Sequence, residues 1–427
     1  MAHPLQYRQA AQRIGLPPAC ARKHRSDGPE AYDALTIKPD HPMGHASFLV
    51  SVVSAAWCLL LAVGSPSFAQ QTKNDAVVPF VLPQSGPFRS EEITVDNQKA
   101  ISDWYRSAHA DQAAEAFSRW DSDEGIGPAC AVCHSGEGFR SYHGLDGSEP
   151  GIPTEPVPAG GVVDCGTCHN EGLRDIKEVL FPSGVRHPVV GAEAACMTCH
   201  QGRTAGNTVA AAIEGKDLDT AGSSLRFINP HYATAAASWL GGYGGAGYHY
   251  EGREYSGLFW HARPVSSCNS CHEPHSLEVD FEPCQTCHQG ETPQDIRVSR
   301  LSHDGSGNAA VGIAYDIRGN SETLIQMIKD YAESVTGKQI VYEGGQHPYF
   351  FNDANGDSVI DLTEGKPVAY DGWTPRMLRA AYNWKLVSSD PGNFAHNPDY
   401  TLELLYDSIE DLAGPLDIDM KETDILR

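Results

Sequence analysis

The sequence is short of basic side chains. Its 427 residues contain 31 Lys and Arg against 55 Asp and Glu, which gives a formal net charge of −24. Nucleic acids are bound by Lys and Arg that displace counterions from the phosphates, so this composition argues against nucleic acid as the main partner. The same shortage argues against docking on anionic lipid. An acidic surface instead predicts partners with a basic face and a salt-dependent encounter.

Long apolar runs are also scarce. Residues 46–63 form an uncharged apolar stretch, and Ser67 and Ala69 after it have the small-x-small spacing of a cleavage site. We therefore predict a secretory signal peptide over 43–69, with an uncleaved membrane anchor as the alternative. About forty residues is long for the region that precedes the apolar part of a signal peptide. Residues 1–42 are therefore predicted to be either an upstream stretch that was included because the start codon was assigned too early, or a leader extension. The mature protein is predicted to be periplasmic or extracellular, without a stable membrane span.

Unpaired cysteines are absent from the predicted mature chain. Cleavage after Ala69 removes Cys20 and Cys58, and the ten remaining cysteines form five pairs, each with two residues between the thiols and a histidine directly after the second. The five motifs are Cys130, Cys133 and His134; Cys165, Cys168 and His169; Cys196, Cys199 and His200; Cys268, Cys271 and His272; and Cys284, Cys287 and His288. This is the attachment pattern of c-type haem, in which two thiols bond to the porphyrin and the next side chain gives the iron an axial imidazole.

Zinc and disulfides are the alternatives to haem. An odd number of pairs, with a histidine after each one, does not suit sites in which two Cys-x-x-Cys pairs hold zinc. A disulfide across two residues is a redox-active geometry rather than a structural link. The repeated motif therefore predicts five covalent haem c groups.

With these motifs the sequence resembles the multihaem (pentahaem) c-type cytochromes over most of the mature chain. Segments 104–110, 229–232, 271–276 and 396–398 also resemble distal-ligand contexts of that family. The predicted fold is mostly irregular with short α-helices, organised around five covalently bound haems. We expect a five-haem-binding region over 70–300 and a helical C-terminal region over 301–427.

Methionine is rare outside the motifs and the predicted leader, where only Met327, Met377 and Met420 occur. The sixth ligand of each iron is therefore expected to be a neutral imidazole. Ten histidines lie outside the motifs in the mature chain. The predicted distal set is His109, His231, His261, His275 and His396, with His187 and then His143 in reserve. A hydrogen-bonded or surface role is the alternative for each one, and it is favoured for His249, His303 and His347.

Spacing and capping signals predict several local features. The fourth and fifth motifs begin sixteen residues apart, at Cys268 and Cys284, so their haems are expected to be close neighbours. A helical pattern covers 99–118, and 241–248 is predicted to be a Gly- and Tyr-rich loop. In the C-terminal region, Ser321 is predicted to cap a helix that ends at Gly337, Thr374 and Pro375 to begin a second, and 400–412 to form a third.

An acidic segment over 353–364 has the spacing of a calcium loop. Oxygen ligands for Ca2+ are predicted from the side chains of Asp353, Asn355, Asp357, Asp361 and Glu364, and from the backbone carbonyl of Val359. Ser358 stands at the sixth position, where the pattern has glycine, and Pro348 excludes a regular entering helix. We predict a structural calcium loop rather than a full EF-hand, with an acidic turn as the alternative.

The function predicted from these features is extracytoplasmic electron transfer through five haems that are mainly bis-histidine, and no catalytic residue is assigned. A multihaem reductase with one open haem site is the alternative enzyme hypothesis. The family resemblance also implies that some relatives work in extracellular respiration or assemble into conductive filaments, so a homo-oligomer or filament subunit is a further hypothesis. A haem-based sensor is disfavoured, because sensing does not require five haems.

Overall fold

A computed structural model describes residues 95–122, 124–263 and 265–427. The predicted segments 1–42 and 43–69 lie outside the described residues. In the described part the chain is mostly irregular, with short helices and three small antiparallel sheets. Among the described helices, none is long and apolar enough to cross a bilayer.

The helices before residue 300 are short. They are α1 (Val95–Arg106), α2 (Glu115–Ser118), α3 (Pro128–His134), α4 (Gly136–Tyr142), α5 (Cys165–Cys168), α6 (Glu193–Cys199), α7 (Gly206–Ile213) and α8 (Ala235–Gly244). Single 3-10 turns cover Glu171–Asp175, Cys268–Ser270, Cys284–Thr286 and Pro293–Asp295. Strands β1 (Glu178–Leu180) and β2 (Arg186–Pro188) pair across a tight turn.

Longer helices follow residue 300. They are α9 (Ile313–Tyr331), which continues into a π-turn over Ala332–Thr336, α10 (Pro375–Ser388), the short α11 (Asn393–His396) and α12 (Pro398–Ala413), with a final 3-10 turn at Met420–Glu422. Strands β3 (Ile340–Tyr342) and β4 (Phe350–Asn352) form one hairpin, and β5 (Leu362–Thr363) and β6 (Lys366–Pro367) form another.

The largest apolar core joins α9, α10 and α12. Leu324, Tyr331, Trp373, Leu378 and Leu405 are buried in it, and Phe350 of β4 extends it. The motif-bearing region contributes Val209 and Leu225 to this core, and its other described clusters are smaller, such as the one around Phe139, Met197 and Leu240. Apolar burial is the main favourable term in folding, so the C-terminal helices form the part of the chain with the most stabilising core of its own.

Two of the predicted helix boundaries agree with the structure. The Thr374 side chain accepts a hydrogen bond from the Met377 amide at 3.2 Å, and Pro375 occupies the first position of α10. Gly337 has a left-handed backbone (φ 68°) and ends the π-turn that continues α9. The third predicted helix is α12, whose cap is Asn397.

The predicted start at Ser321 is wrong, because α9 begins at Ile313. The earlier turns contain buried polar residues that the apolar pattern does not recognise. Asp316 accepts hydrogen bonds from the Arg297 guanidinium and the His303 amide, and Asn320 donates to the His303 carbonyl. These partners let polar side chains face the interior, so the helix extends towards its N-terminus.

The predicted helix over 99–118 and the predicted loop over 241–248 are correct only in part. Helix α1 ends at Arg106, where the Ser107 hydroxyl donates to the Trp104 carbonyl at 2.7 Å and competes with the helical pattern. The predicted loop over 241–248 begins inside α8, which continues to Gly244 across a kink at Gly241 (φ 54°, ψ −140°). That backbone conformation is available to glycine and strained for other residues.

Candidate haem-binding sites

Each motif forms a single helical turn. The first three motifs lie on α3, α5 and α6, and the last two lie on 3-10 turns. The amide of the motif histidine donates to the carbonyl of the first cysteine, at 2.8 Å for His169, 2.9 Å for His200, 3.0 Å for His272 and 2.9 Å for His288. Residues three and four positions apart share one face of a helical turn, so both thiols and the imidazole come to the same side.

Each motif histidine faces a different histidine from outside the motifs. The distances between ring centroids are 5.8 Å for His134 and His231, 5.9 Å for His169 and His275, 6.3 Å for His200 and His109, 6.4 Å for His272 and His396, and 6.1 Å for His288 and His261. The five outer histidines are the same five that the sequence analysis selects as distal ligands. Chain order does not give this pairing, since His109 precedes the first motif and faces the third.

The spacing of these pairs fits an iron ion between the two rings. A histidine nitrogen lies about 2 Å from a bound first-row metal, so two imidazoles on opposite sides of one ion have facing nitrogens roughly 4 Å apart and ring centres roughly 6 Å apart. The Nε2 atoms of His134 and His231 are 3.5 Å apart. The two cysteine side chains and two imidazoles at each motif therefore suit haem c.

The remaining described histidines of the mature chain have other contacts. Nε2 of His143 lies 2.9 Å from the Thr198 hydroxyl, that of His249 2.9 Å from the Tyr400 hydroxyl, and that of His303 2.9 Å from the Ser299 hydroxyl. The rings of His187 and His347 contact Trp239 and Tyr349. Within the described residues, neither reserve candidate, His187 nor His143, faces a motif histidine.

Hydrogen bonds to Nδ1 orient several of the paired rings. Nδ1 of His134 lies 2.8 Å from the Ala116 carbonyl, and Nδ1 of His200 lies 2.8 Å from the Ala233 carbonyl. Carboxylates take this place for two outer histidines, Glu273 for His275 at 3.1 Å and Asp390 for His396 at 2.9 Å. A proton held on Nδ1 leaves the Nε2 lone pair for a metal.

Burial keeps several of these imidazoles neutral. It lowers the pKa of His231 to about 3, with a further contribution from His134, and lowers the pKa of His109 to about 4. Neutral imidazole is the form that binds metal. Burial also lowers the pKa of His143 to about 4, so a low pKa alone does not identify a ligand. His396 differs, because Asp390 outweighs the effect of burial and raises its pKa.

Thiols from different motifs lie close together. Cys133 of the first motif acts electrostatically on Cys199 of the third, and Cys196 of the third acts on Cys268 of the fourth. Cys271 acts electrostatically on Cys284, which raises the pKa of Cys284 together with burial, so the fourth and fifth motifs are neighbours. The third motif therefore lies between the first and the fourth.

The acidic segment over 353–364 forms a compact turn. The buried Asp353 carboxylate accepts from the amides of Asp357 and Ser358 at 3.1 and 3.0 Å. Ser358 has a φ of 62°, which is the left-handed conformation that glycine supplies more easily. In the described part of the chain, no group of three or more His, Cys, Asp or Glu is arranged to hold a metal ion. Calcium binding here stays a prediction.

Sequence reasoning missed the charged residues around the paired rings. Asp390 and Lys385 resemble ordinary surface charges in the sequence, yet both are buried. Glu273 had a weak signal, because it lies between His272 and His275 in the fourth motif's segment. The five attachment motifs and the paired rings, rather than these charges, define a protein of the multihaem class.

Comparison with known proteins gives the same class. The chain is 27% identical over 313 residues to the C-type polyheme cytochrome OmcC of Geobacter sulfurreducens, which covers 66% of this chain and 36% of the relative. It is 27% identical over 259 residues to the C-type polyheme cytochrome OmcB of the same species, which covers 53% of this chain and 32% of the relative. The chain thus spans about a third of the length of these curated relatives.

The homology and the attachment motifs identify the chain as a multihaem c-type cytochrome, and the predicted family is confirmed. The homology also implies covalently bound haem c as the cofactor. No family model matches the sequence, and no solved structure matches the chain.

Proposed function

We propose that this protein is an extracytoplasmic electron carrier with five covalent haem c groups, each held by a motif histidine and by the outer histidine that faces it. The observation that carries the proposal is the one-to-one pairing of five motif histidines with five outer histidines at centroid distances of 5.8 to 6.4 Å. When bound, each haem would supply a one-electron Fe(III)/Fe(II) couple. The chain supplies ligation, spacing and a partly buried environment.

The contacts between motifs support transfer within one chain. Electrostatic interactions between cysteines link the first and second motifs to the third, the third to the fourth, and the fourth to the fifth. The residues that anchor the cofactors therefore form one continuous series. An acidic exterior supports short-lived encounters with basic-faced redox proteins, and the predicted signal peptide supports a periplasmic or extracellular location.

The alternative reductase needs one iron with an open position. Among the described residues every motif histidine has a facing imidazole, which favours the carrier. A filament would be supported by ligands donated between subunits, whereas here the five outer histidines come from the same chain as the motifs.

Low-temperature electron paramagnetic resonance of the oxidised holoprotein tests this function. Five bis-histidine haems give only low-spin signals, and haem quantification together with intact mass gives five haems per chain. A high-spin signal from a substantial part of the iron would favour the reductase, and fewer than five haems would contradict the proposed cofactor set.

A further inference from the structure

Two buried charges of opposite sign lie near the end of α10. Lys385 lies in the last turn of the helix and is 5% exposed, and Asp390 lies just beyond the helix and is 1% exposed. In the part of the chain that the structure describes, Lys385 has no carboxylate partner, and the ion-pair partner of Asp390 is His396. Burial of a charge without an oppositely charged neighbour is costly, so the position of Lys385 needs an explanation.

Lys385 lies in a cage of tyrosines next to the first motif's histidine pair. Its Nζ donates to the Tyr342 hydroxyl at 3.0 Å and lies 4.9 Å from the centre of the Tyr232 ring and 5.9 Å from that of Tyr349. The Tyr232 ring is in turn 5.2 Å from the His231 ring. Burial lowers the pKa of Lys385 to about 8, so the cation still predominates at neutral pH. One aromatic ring separates this positive charge from the imidazole that faces His134.

Other cations reinforce the positive charge near that pair. The side chains of Arg203 and Arg119 act electrostatically on both His134 and His231 and help burial to lower the pKa of each imidazole. Arg119 also pairs with the exposed Glu115, so part of its charge is compensated. Lys385 and Arg203 supply the remaining positive charge.

Asp390 lies beside the fourth motif's histidine pair. Both of its carboxylate oxygens are 2.9 Å from Nδ1 of His396, whose ring faces His272, and one oxygen also accepts from the Gly392 amide at 3.1 Å. Its charge also acts on His200, the motif histidine of the intervening site. The carboxylate that accepts from His275 belongs to the exposed Glu273, where water screens the charge.

Charge of either sign next to a redox centre changes its reduction potential. Adding an electron adds negative charge, so a nearby carboxylate disfavours reduction and a nearby ammonium group favours it. Both effects are stronger for buried charges than for exposed ones. A carboxylate on Nδ1 also makes the imidazole a stronger donor to a metal, which stabilises the oxidised state.

We propose that Lys385 and Asp390 are positioning charges that make the reduction potentials of two haem sites unequal. The haem held by His134 and His231 then has a higher reduction potential than the haem held by His272 and His396. This inference rests on the proposed electron-carrier function. One electron would leave Fe(II) at the fourth motif, giving Fe(III), and would reduce Fe(III) at the first motif to Fe(II). The third motif lies between them, and no proton or atom is transferred.

Redox titration of the purified holoprotein, followed by electron paramagnetic resonance, tests the proposal. Asp390→Asn is expected to raise the potential of the component that His396 ligates, and Lys385→Gln to lower that of the component that His231 ligates. A tenfold change in the oxidised-to-reduced ratio at fixed potential corresponds to about 59 mV for one electron. Lys338→Gln and Asp371→Asn remove the charges of an exposed ion pair and serve as matched controls, which are expected to leave every component unchanged.

Charge-keeping variants separate charge from packing. Lys385→Arg and Asp390→Glu are expected to retain the wild-type potentials. If they shift the potentials as far as the charge-removing variants do, packing sets the potentials and the proposal is overturned. Shifts of the same sign in Lys385→Gln and Asp390→Asn, or no shift in either folded protein, would also overturn it.

Ligand variants assign the components and keep the test valid if a charge variant fails to fold. His231→Ala is expected to remove a low-spin component of higher potential than the component that His396→Ala removes. The reverse order of the two reduction potentials would overturn the proposal. A wild-type protein with fewer than five haems or with high-spin iron would instead contradict the proposed function, so the two failures are distinguishable.

Discussion

His109 and His143 provide a matched test of the ligand pairs. Both are partly buried, and burial lowers the pKa of each to about 4. His109 faces His200 with ring centroids 6.3 Å apart, whereas His143 bonds to the Thr198 hydroxyl at 2.9 Å. His109→Ala and His143→Ala therefore remove imidazoles of similar character, of which one is in the proposed distal set.

The two substitutions are expected to change different properties of the protein, the spin state of the iron in one case and the stability in the other. His109→Ala leaves one haem of five without a sixth ligand, so about one fifth of the iron is expected to become high-spin. His143→Ala removes one hydrogen bond, and Thr198 keeps its bond to the Ala194 carbonyl at 2.7 Å. This variant is expected to lower the free energy of unfolding by about 0.5–1.5 kcal/mol, and its iron is expected to stay entirely low-spin.

Electron paramagnetic resonance and the optical spectrum of both oxidised variants provide the assay. Added imidazole is expected to restore the low-spin spectrum of His109→Ala, because it refills the open position. Equal high-spin fractions in the two variants would refute the pairing. A fully low-spin His109→Ala would show that another residue is the distal ligand.

Three further predictions concern stability. Removal of Ca2+ by a chelator is expected to lower the thermal midpoint through the loop over 353–364, with recovery on adding Ca2+ and not Mg2+; an unchanged midpoint would contradict the calcium loop. Asp316→Ala leaves the buried Arg297 unpaired and is expected to cost about 3–5 kcal/mol in denaturant unfolding, and a cost below about 1 kcal/mol would show that the pair is not structural. The hydrogen bond from Arg376 holds the pKa of Asp219 below 3.8. The ionised Asp219 therefore stabilises the fold above that pH, and this stabilisation is lost as the pH falls through the lowered pKa. Asp219→Asn is expected to make the free energy of unfolding depend less on pH in this range, and an unchanged pH dependence would refute this expectation.

The motifs could be predicted from the sequence because their geometry is local. Two thiols and an imidazole at positions one, four and five of a segment come together in a single helical turn, as at Cys165, Cys168 and His169. Thr374 before Pro375 likewise encodes the start of α10 within one turn. Chemistry that fits within one turn needs no knowledge of the rest of the fold.

The partner of each motif histidine could not be predicted, because tertiary structure decides it. His275 follows the fourth motif by three residues and yet faces His169 of the second. The first turns of α9 could not be predicted for a related reason. Asp316 and Asn320 appear polar in the sequence, yet they are buried because they bond to partners distant in the chain. Charges such as Asp390 carry no sequence mark of burial, so their effect on a redox site becomes visible only in three dimensions.

The C-terminal helices bring more to the proposed redox sites than the distal ligand His396 that the sequence predicts. They contribute most of the largest apolar core, whereas the other clusters of the motif region are smaller. The end of α10 and the turn after it carry Lys385, Asp390 and His396, which reach the histidine pairs of two different motifs. Because ordered positions are needed for a buried charge to act on one iron more than on another, a core that folds through its own apolar contacts is the suitable place for them.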